Sequence, residues 1–287
     1  MFLYFQLILA SLFWGTNIIV MKILLQNIPF LLLATLRVFL SCLVLGIYMF
    51  YKHIDFGYSQ KLKAFWIGFL GIYLNFFLTF LGMREVKGID NAFMNALAPL
   101  LTFVFAIVFL KQKGKKYEYV ALVLSVFAFL LSIRFQIFSI QIGFFYLFLG
   151  LCLYMLSHIL IQKWQLHQTL SLTFYQLFFG LILLSIHCFI TDQWQLQTLL
   201  DISLLHWLLF LIVSGIGFAY IQCIYMKAVH EIGALRTSSF LSLNPVVTYV
   251  ESLIFLHESF DWLHFISFLL IIFSLCLLNF YHQKKFN

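Results

Sequence analysis

The chain has 287 residues, 64% of them hydrophobic and 9% charged, with a formal net charge of +7 and a mean hydropathy of +1.03. Soluble domains carry about 45–50% apolar and about 25% charged residues, so this composition excludes one and describes an integral membrane protein. The positive charge does not point to nucleic acid, because Lys and Arg fall in short clusters between apolar runs and form no single basic face.

The apolar runs predict helices over 3–25, 30–51, 63–83, 88–110, 117–134, 140–162, 169–190, 203–226, 231–256 and 262–282. At roughly 20 residues per crossing, these make an all-α membrane protein of ten transmembrane helices with little left for a soluble domain. Runs of this length exclude a membrane barrel, whose strands are about half as long and alternate in polarity. The first run has no basic residue before it and is longer than a signal-peptide core, so it is expected to be a retained helix. The five cysteines, Cys42, Cys152, Cys188, Cys223 and Cys276, sit inside apolar runs without C-x-x-C spacing and read as small buried hydrophobes.

Moving back 146 positions from the ninth run aligns Glu231 with Glu85, Pro245 with Pro99 and Leu256 with Leu110, and the same offset aligns Gly217 with Gly71. The chain therefore divides into a first repeat, 1–134, and a second, 138–287, of five helices each. An odd number of helices per repeat sends the second copy through the membrane in the opposite sense. Inverted repeats of this kind are the basis of alternating access. Of the 17 basic residues, Lys22, Arg84, Lys87 and Arg134 would face outward and Arg37 lies within the second run. The other twelve fall on one side, which places both termini in the cytoplasm by the positive-inside rule. No G-x-x-x-x-G-K-[ST] loop is present, so energy would come from gradients or from the solute itself.

Proline removes a backbone donor and clashes with the preceding turn, so Pro99 and Pro245 should kink the fourth and ninth helices and expose a carbonyl. Beside Pro99, Asn91, Asn95 and Thr102 lie close to one helical face. Ser238, Ser242, Tyr249 and Ser252 share a face with Pro245. Both faces have two readings, a polar cavity or hydrogen-bonded helix packing. Asn75, on the third helix, is a further cavity candidate. In the first helix Trp14, with Gly15, Asn17 and Lys22 beyond it, aligns by repeat position with Tyr154 in the sixth, and paired aromatics at one depth can hold an apolar or cationic solute or simply pack the core. Gly68, Gly71, Ser214, Gly215 and Gly217 read as small residues that admit close helix approach.

Two charges lie inside spans, Arg37 and Glu251, and an intramembrane charge is a functional residue by default. At 1.5 Å per residue both sit roughly 10 Å below the same outer face, close enough in depth to form a structural pair or to serve separately in ion coupling. His158 and His187 are isolated on apolar helices. No catalytic acid, base and nucleophile arrangement, no metal-ligand spacing and no cofactor motif is visible, so an enzyme is not expected.

The motifs LFWGTN (Trp14, Gly15), ATLRVF (Arg37), NALAPLLTF (Pro99), SLNPVVTYV (Pro245) and FLHES (Glu258), in this order and spacing, resemble the drug/metabolite transporter superfamily, in particular the EamA family of tandem five-helix repeats. The chain departs from that pattern at Gln112, which stands opposite Glu258, and at Tyr154, which stands opposite Trp14. The resemblance implies a multi-pass protein of a bacterial cytoplasmic membrane that exports small organic solutes such as amino acids, metabolites or drug-like compounds through a central cavity. Import or exchange of an environmental metabolite is the alternative, because gradients and not the fold set direction.

Overall fold

A computed structural model of the chain describes residues 2–132, 134, 141–200, 202–255 and 260–283. All its regular elements among these residues are helical. They are α1 (Phe2–Leu24), α2 (Phe30–Tyr51), α3 (Lys61–Glu85), α4a (Gly88–Asn95), α4b (Ala98–Leu110), α5 (Lys116–Ser132), α6 (Ile142–Lys163), α7 (Thr169–Ile190), α8 (Leu204–Ile232), α9a (Ala234–Ser239), α9b (Asn244–Phe255) and α10 (Trp262–Gln283). Two devices set the turns: Pro29 stands at the N-cap of α2 with the fixed φ that opens a helix, and Gly233, at φ 84°, takes the backbone from α8 into α9a.

Among the described residues, seven helices are long and apolar enough to cross a membrane: α1, α2, α3, Asn91–Leu110, α6, α7 and α8. Two of the other predicted spans fall short for separate reasons. Helix α5 has 17 residues and α9 is broken in two, while α10 is an apolar helix of 22 residues, Trp262–Gln283.

The prolines do not kink continuous helices. Pro99 opens α4b, and the chain before it tightens into a turn in which the Ala96 and Leu97 N–H groups donate three residues back, to Phe93 and Met94. Pro245 is the second residue of α9b and follows a 3₁₀ turn over Phe240–Leu243. The carbonyl that Pro245 cannot reach is that of Leu241, and it accepts from the Asn244 N–H instead. The neighbouring Phe240 carbonyl takes a hydrogen bond from the Ser11 hydroxyl at 2.9 Å. The expected exposed carbonyl is therefore absent at this break, because a 3₁₀ turn and a serine from α1 satisfy the groups that the proline frees.

Helices α3 and α8 each contain a π-helical stretch, Phe69–Leu74 and Phe210–Gly217, which overlap under the 146-residue offset. The pattern of helix pairings is kept when the first five helices are exchanged for the last five. Helix α1 packs on α8 and α9b, as α6 packs on α3 and α4b; α2 packs on α8, as α7 packs on α3; α4a packs on α9b, as α9a packs on α4b; and α2 with α7 and α5 with α10 meet their own counterparts. Small residues make the closest approaches possible: a side chain on Gly15 would lie 2.6 Å from Val247 Cβ. Large apolar side chains such as Phe50, Phe189 and Leu204 stand exposed on the outside, a surface suited to lipid.

Candidate functional site

A small cavity of about 40 Å³ lies where α1, α2, α3, α4a and α6 converge. Helix α1 supplies Trp14 and Asn17, α2 supplies Arg37, α3 supplies Asn75 and Phe76, α4a supplies Asn91 and Asn95, and α6 supplies Tyr154. Seven of the residues singled out from sequence are thus brought to one place. They are polar in a segment where each buried polar group costs free energy unless paired.

Each of these side chains is held by its own element. Asn17 donates from Nδ2 to the Val213 carbonyl (3.1 Å) and to Ser214 Oγ (2.9 Å), tying α1 to the π-helical stretch of α8. Asn75 immediately follows the π-helical stretch of α3 and donates to the Gly150 carbonyl of α6 at 2.9 Å. Asn95 donates back to the Asn91 carbonyl at 3.2 Å in the last turn of α4a. The Trp14 ring lies 5.6 Å from Tyr154 and 5.9 Å from Tyr225, so the paired aromatics meet directly and form one wall. Behind them Tyr225 and Ser11 share a hydrogen bond of 3.2 Å. Beyond the cavity the Lys22 ammonium donates to the Met83 carbonyl and, at 2.6 Å, to that of Val86, joining the ends of α1 and α3.

Arg37 is 6% exposed. Its guanidinium carbon sits 4.2 Å from the Phe218 ring centroid and 4.8 Å from that of Phe76, contacts that attract a desolvated cation by about 2 kcal/mol. It does not meet Glu251. That carboxylate accepts a hydrogen bond from Thr16 Oγ1 at 2.6 Å, between α1 and α9b. The pairing left open by depth alone is absent because Glu251 turns to Thr16 of α1 while Arg37 lies between Phe218 of α8 and Phe76 of α3.

The described residues of the second polar face do not line this chamber. Ser238 donates within its own helix, Ser242 is buried away from the cavity, and Tyr249 OH bonds the Asp261 backbone at 3.0 Å where α10 begins. Thr102 likewise donates to Met155 Sδ on α6. Pro99 and Pro245 shape the breaks and are not among the residues that line this chamber. Glu258 lies outside the described residues. Sequence reasoning missed the π-helical stretches that present Asn75 and Ser214. Their signal was available in the glycines and serine at matching repeat positions, read there only as packing residues.

These features define a helical membrane protein with a small polar chamber between exchange-related bundles. The chain belongs to the EamA-like transporter family, whose pattern matches residues 1–134 and 141–280. A solved structure titled only "Crystal structure of protein" is similar over 96% of both chains, with a TM-score of 0.71 at 14% identity, a likeness of fold alone. No curated protein matches the sequence.

Proposed function

We propose that the protein is a secondary transporter that exports small organic solutes across a bacterial inner membrane by alternating access. The observation that carries this reading is the chamber itself. It gathers a charge and four asparagines at the meeting point of two bundles whose helix pairings correspond on exchange, where a structural protein would place apolar side chains. On this reading α5, α9 and α10 complete ten spans, the repeats are inverted, and both termini face the cytoplasm.

The chamber's 40 Å³ holds only a few waters at about 10–15 Å³ each, whereas small-molecule pockets run to roughly 300–1,000 Å³. Cargo therefore enters only when the bundles part, and the closed form is an occluded intermediate of the cycle. The π-helical stretches of α3 and α8 lie where α6 and α1 cross them and are the segments able to absorb that movement. Glu251, with one oxygen on Thr16 and the other buried without a partner, is the carboxylate placed to exchange a proton as α1 and α9b separate.

Liposomes loaded with a bacterial metabolite extract and containing the purified protein should lose particular solutes faster than protein-free liposomes, and should retain them when Trp14 and Tyr154 are both replaced by alanine. Equal retention of every solute in the two preparations would overturn the transporter reading.

A further inference from the structure

We infer that the protein carries a lipid site outside its chamber: the groove between α4b and α5 holds an acyl chain of one acidic phospholipid, whose phosphate is met by the lysines of the segment 111–116. The inference needs only that these helices lie in a bilayer, and it stands apart from the transport reading.

The sequence between the two helices folds so that its charge stands at the mouth of the groove. Lys111 ends α4b in the left-handed conformation (φ 54°), and the Gln112 N–H turns back to the Ala106 carbonyl at 3.3 Å. At the other end of the segment Glu118 accepts from the Lys115 N–H at 2.8 Å and caps the start of α5. Between these points the chain carries Lys111, Lys113, Lys115 and Lys116, with Glu118 as the one acid in 111–118. Lys111, Lys113 and Lys116 are exposed. Gly114 rests against the Phe103 and Tyr119 rings, which a side chain there would strike, and the two rings meet edge to face at 5.0 Å. Both rings line the groove, so the basic segment is seated on its end. Lys163, from the end of α6, brings a further ammonium to 5.6 Å from the Phe109 ring of α4b.

The groove itself is open, about 570 Å³ in volume, and lined by such residues as Val104, Ile107 and Val108 of α4b and Val123 and Phe127 of α5. From Tyr119 to Leu130 it follows α5 for roughly 16 Å at 1.5 Å per residue, about half of the 30 Å hydrocarbon core. That is the depth of one leaflet, which suits a single chain entering from the basic end. Lysines in the loops of one face are common to helical membrane proteins. What is particular here is their seat on an apolar groove, which joins an anion-binding end to a chain-binding length. The repeat-related segment 256–261 reads LHESFD, with two acids and no lysine, so the repeat does not demand the basic one. A second copy docked on this face about a twofold axis would set two positive segments side by side, whereas an acidic headgroup neutralises them.

The test is lipid binding by the purified full chain in neutral detergent, read by native mass spectrometry with phosphatidylglycerol and phosphatidylcholine of identical acyl chains. Phosphatidylglycerol should bind as one tight equivalent, at least about tenfold more strongly than phosphatidylcholine, since each lysine beside a lipid anion contributes several-fold. Replacing Lys111, Lys113, Lys115 and Lys116 together by glutamine should remove that preference. Val104→Phe combined with Val123→Phe fills the groove from two outward-facing positions; it should keep the melting temperature measured without lipid and abolish the tight equivalent. Glycerol phosphate, a headgroup without chains, should not compete. If the fourfold lysine variant does not fold, the wild-type lipid comparison and the groove-filling pair decide. Equal binding of the two lipids, a preference that survives loss of the lysines, or tight phosphatidylglycerol binding to the groove-filled protein would each overturn the assignment. A wild-type dimer that the groove-filling pair splits into monomers would give the groove to a second copy of the chain and overturn it as well.

Discussion

At Glu251 the partner is a hydroxyl, and this sets what its replacement does. Glutamine keeps an oxygen that can accept the Thr16 hydrogen bond, so Glu251→Gln should fold and carry cargo but lose the dependence of flux on a proton gradient. Because Arg37 and Glu251 share no partner, the stability losses of Glu251→Gln and Arg37→Gln should add to within about 0.5 kcal/mol. A double mutant clearly more stable than that sum would show that the two charges do meet. Outside the spans, burial pushes the Asp261 carboxyl up, but the Arg134 hydrogen bond, the Leu263 N–H and His264 outweigh it and hold it below the usual carboxylate range. A depressed value stabilises the fold above the ordinary range near pH 3.9 and stops doing so as pH falls through the lowered one. The effect is small, since Arg134 is largely exposed and such pairs contribute about 0–1 kcal/mol. Melting temperature measured from neutral to acid pH should fall slightly less in Asp261→Asn than in the wild type.

Helix α1 owes its position to a missing side chain. A Cβ on Gly15 would stand 2.6 Å from Val247 Cβ, 2.9 Å from Val247 Cγ1 and 3.3 Å from the Asn244 carbonyl, in the contact that also holds the Thr248 hydroxyl on the Gly15 carbonyl at 3.3 Å. Gly15→Ala should therefore destabilise the protein by about 1–3 kcal/mol, the range for overpacking, and Val247→Ala should restore part of the loss. Independent losses at the two positions would mean that α1 and α9b do not pack as described. The same contact shows what sequence could and could not convey. Apolar runs fixed where helices form, because burial in lipid requires long apolar stretches with internally bonded backbones, and helix boundaries agree within a few residues except at 203–226, where α8 continues to Ile232. The break at Pro245 was visible too. Its resolution was not, since satisfying the Phe240 carbonyl takes Ser11, from a helix 229 residues away. Asn17, Asn75, Asn91 and Asn95, which line the chamber, stood out in the sequence because an amide in a span is costly unless it is paired. Tyr249 and Ser242 have the same polarity, but which side of α9 faces the chamber depends on how α4a, α9b and α10 pack, and periodicity does not carry that.

Across the whole molecule, one arrangement of the bundles closes the chamber, and alternating access requires another that opens it. With an energy difference of a few kcal/mol between them the minor form is populated at about 0.1–10%, so groups in the chamber react with water-borne reagents only through that minority. In a variant whose five native cysteines are replaced, Asn95→Cys, Trp14→Cys and Tyr154→Cys should be labelled slowly by a membrane-impermeant thiol reagent, and the rate should fall when bound cargo holds the chamber shut. Cysteines at Phe109 and Leu130 should stay unlabelled, because Phe109 is an outward-facing side chain of α4b and Leu130 of α5 borders an apolar groove with α4b. The sidedness of the reaction tests the orientation as well. With the N-terminus inside, α1 ends at the outer face where Lys22 joins it to α3, so a periplasmic reporter near Gln26 and a cytoplasmic reporter after Asn287 should both be active, and Asn95→Cys should react from the outside once the bundles part. Labelling of all five positions at one rate, with no protection by ligand, would mean that the chamber is not a gated site and that its polar residues serve only to hold the helices together.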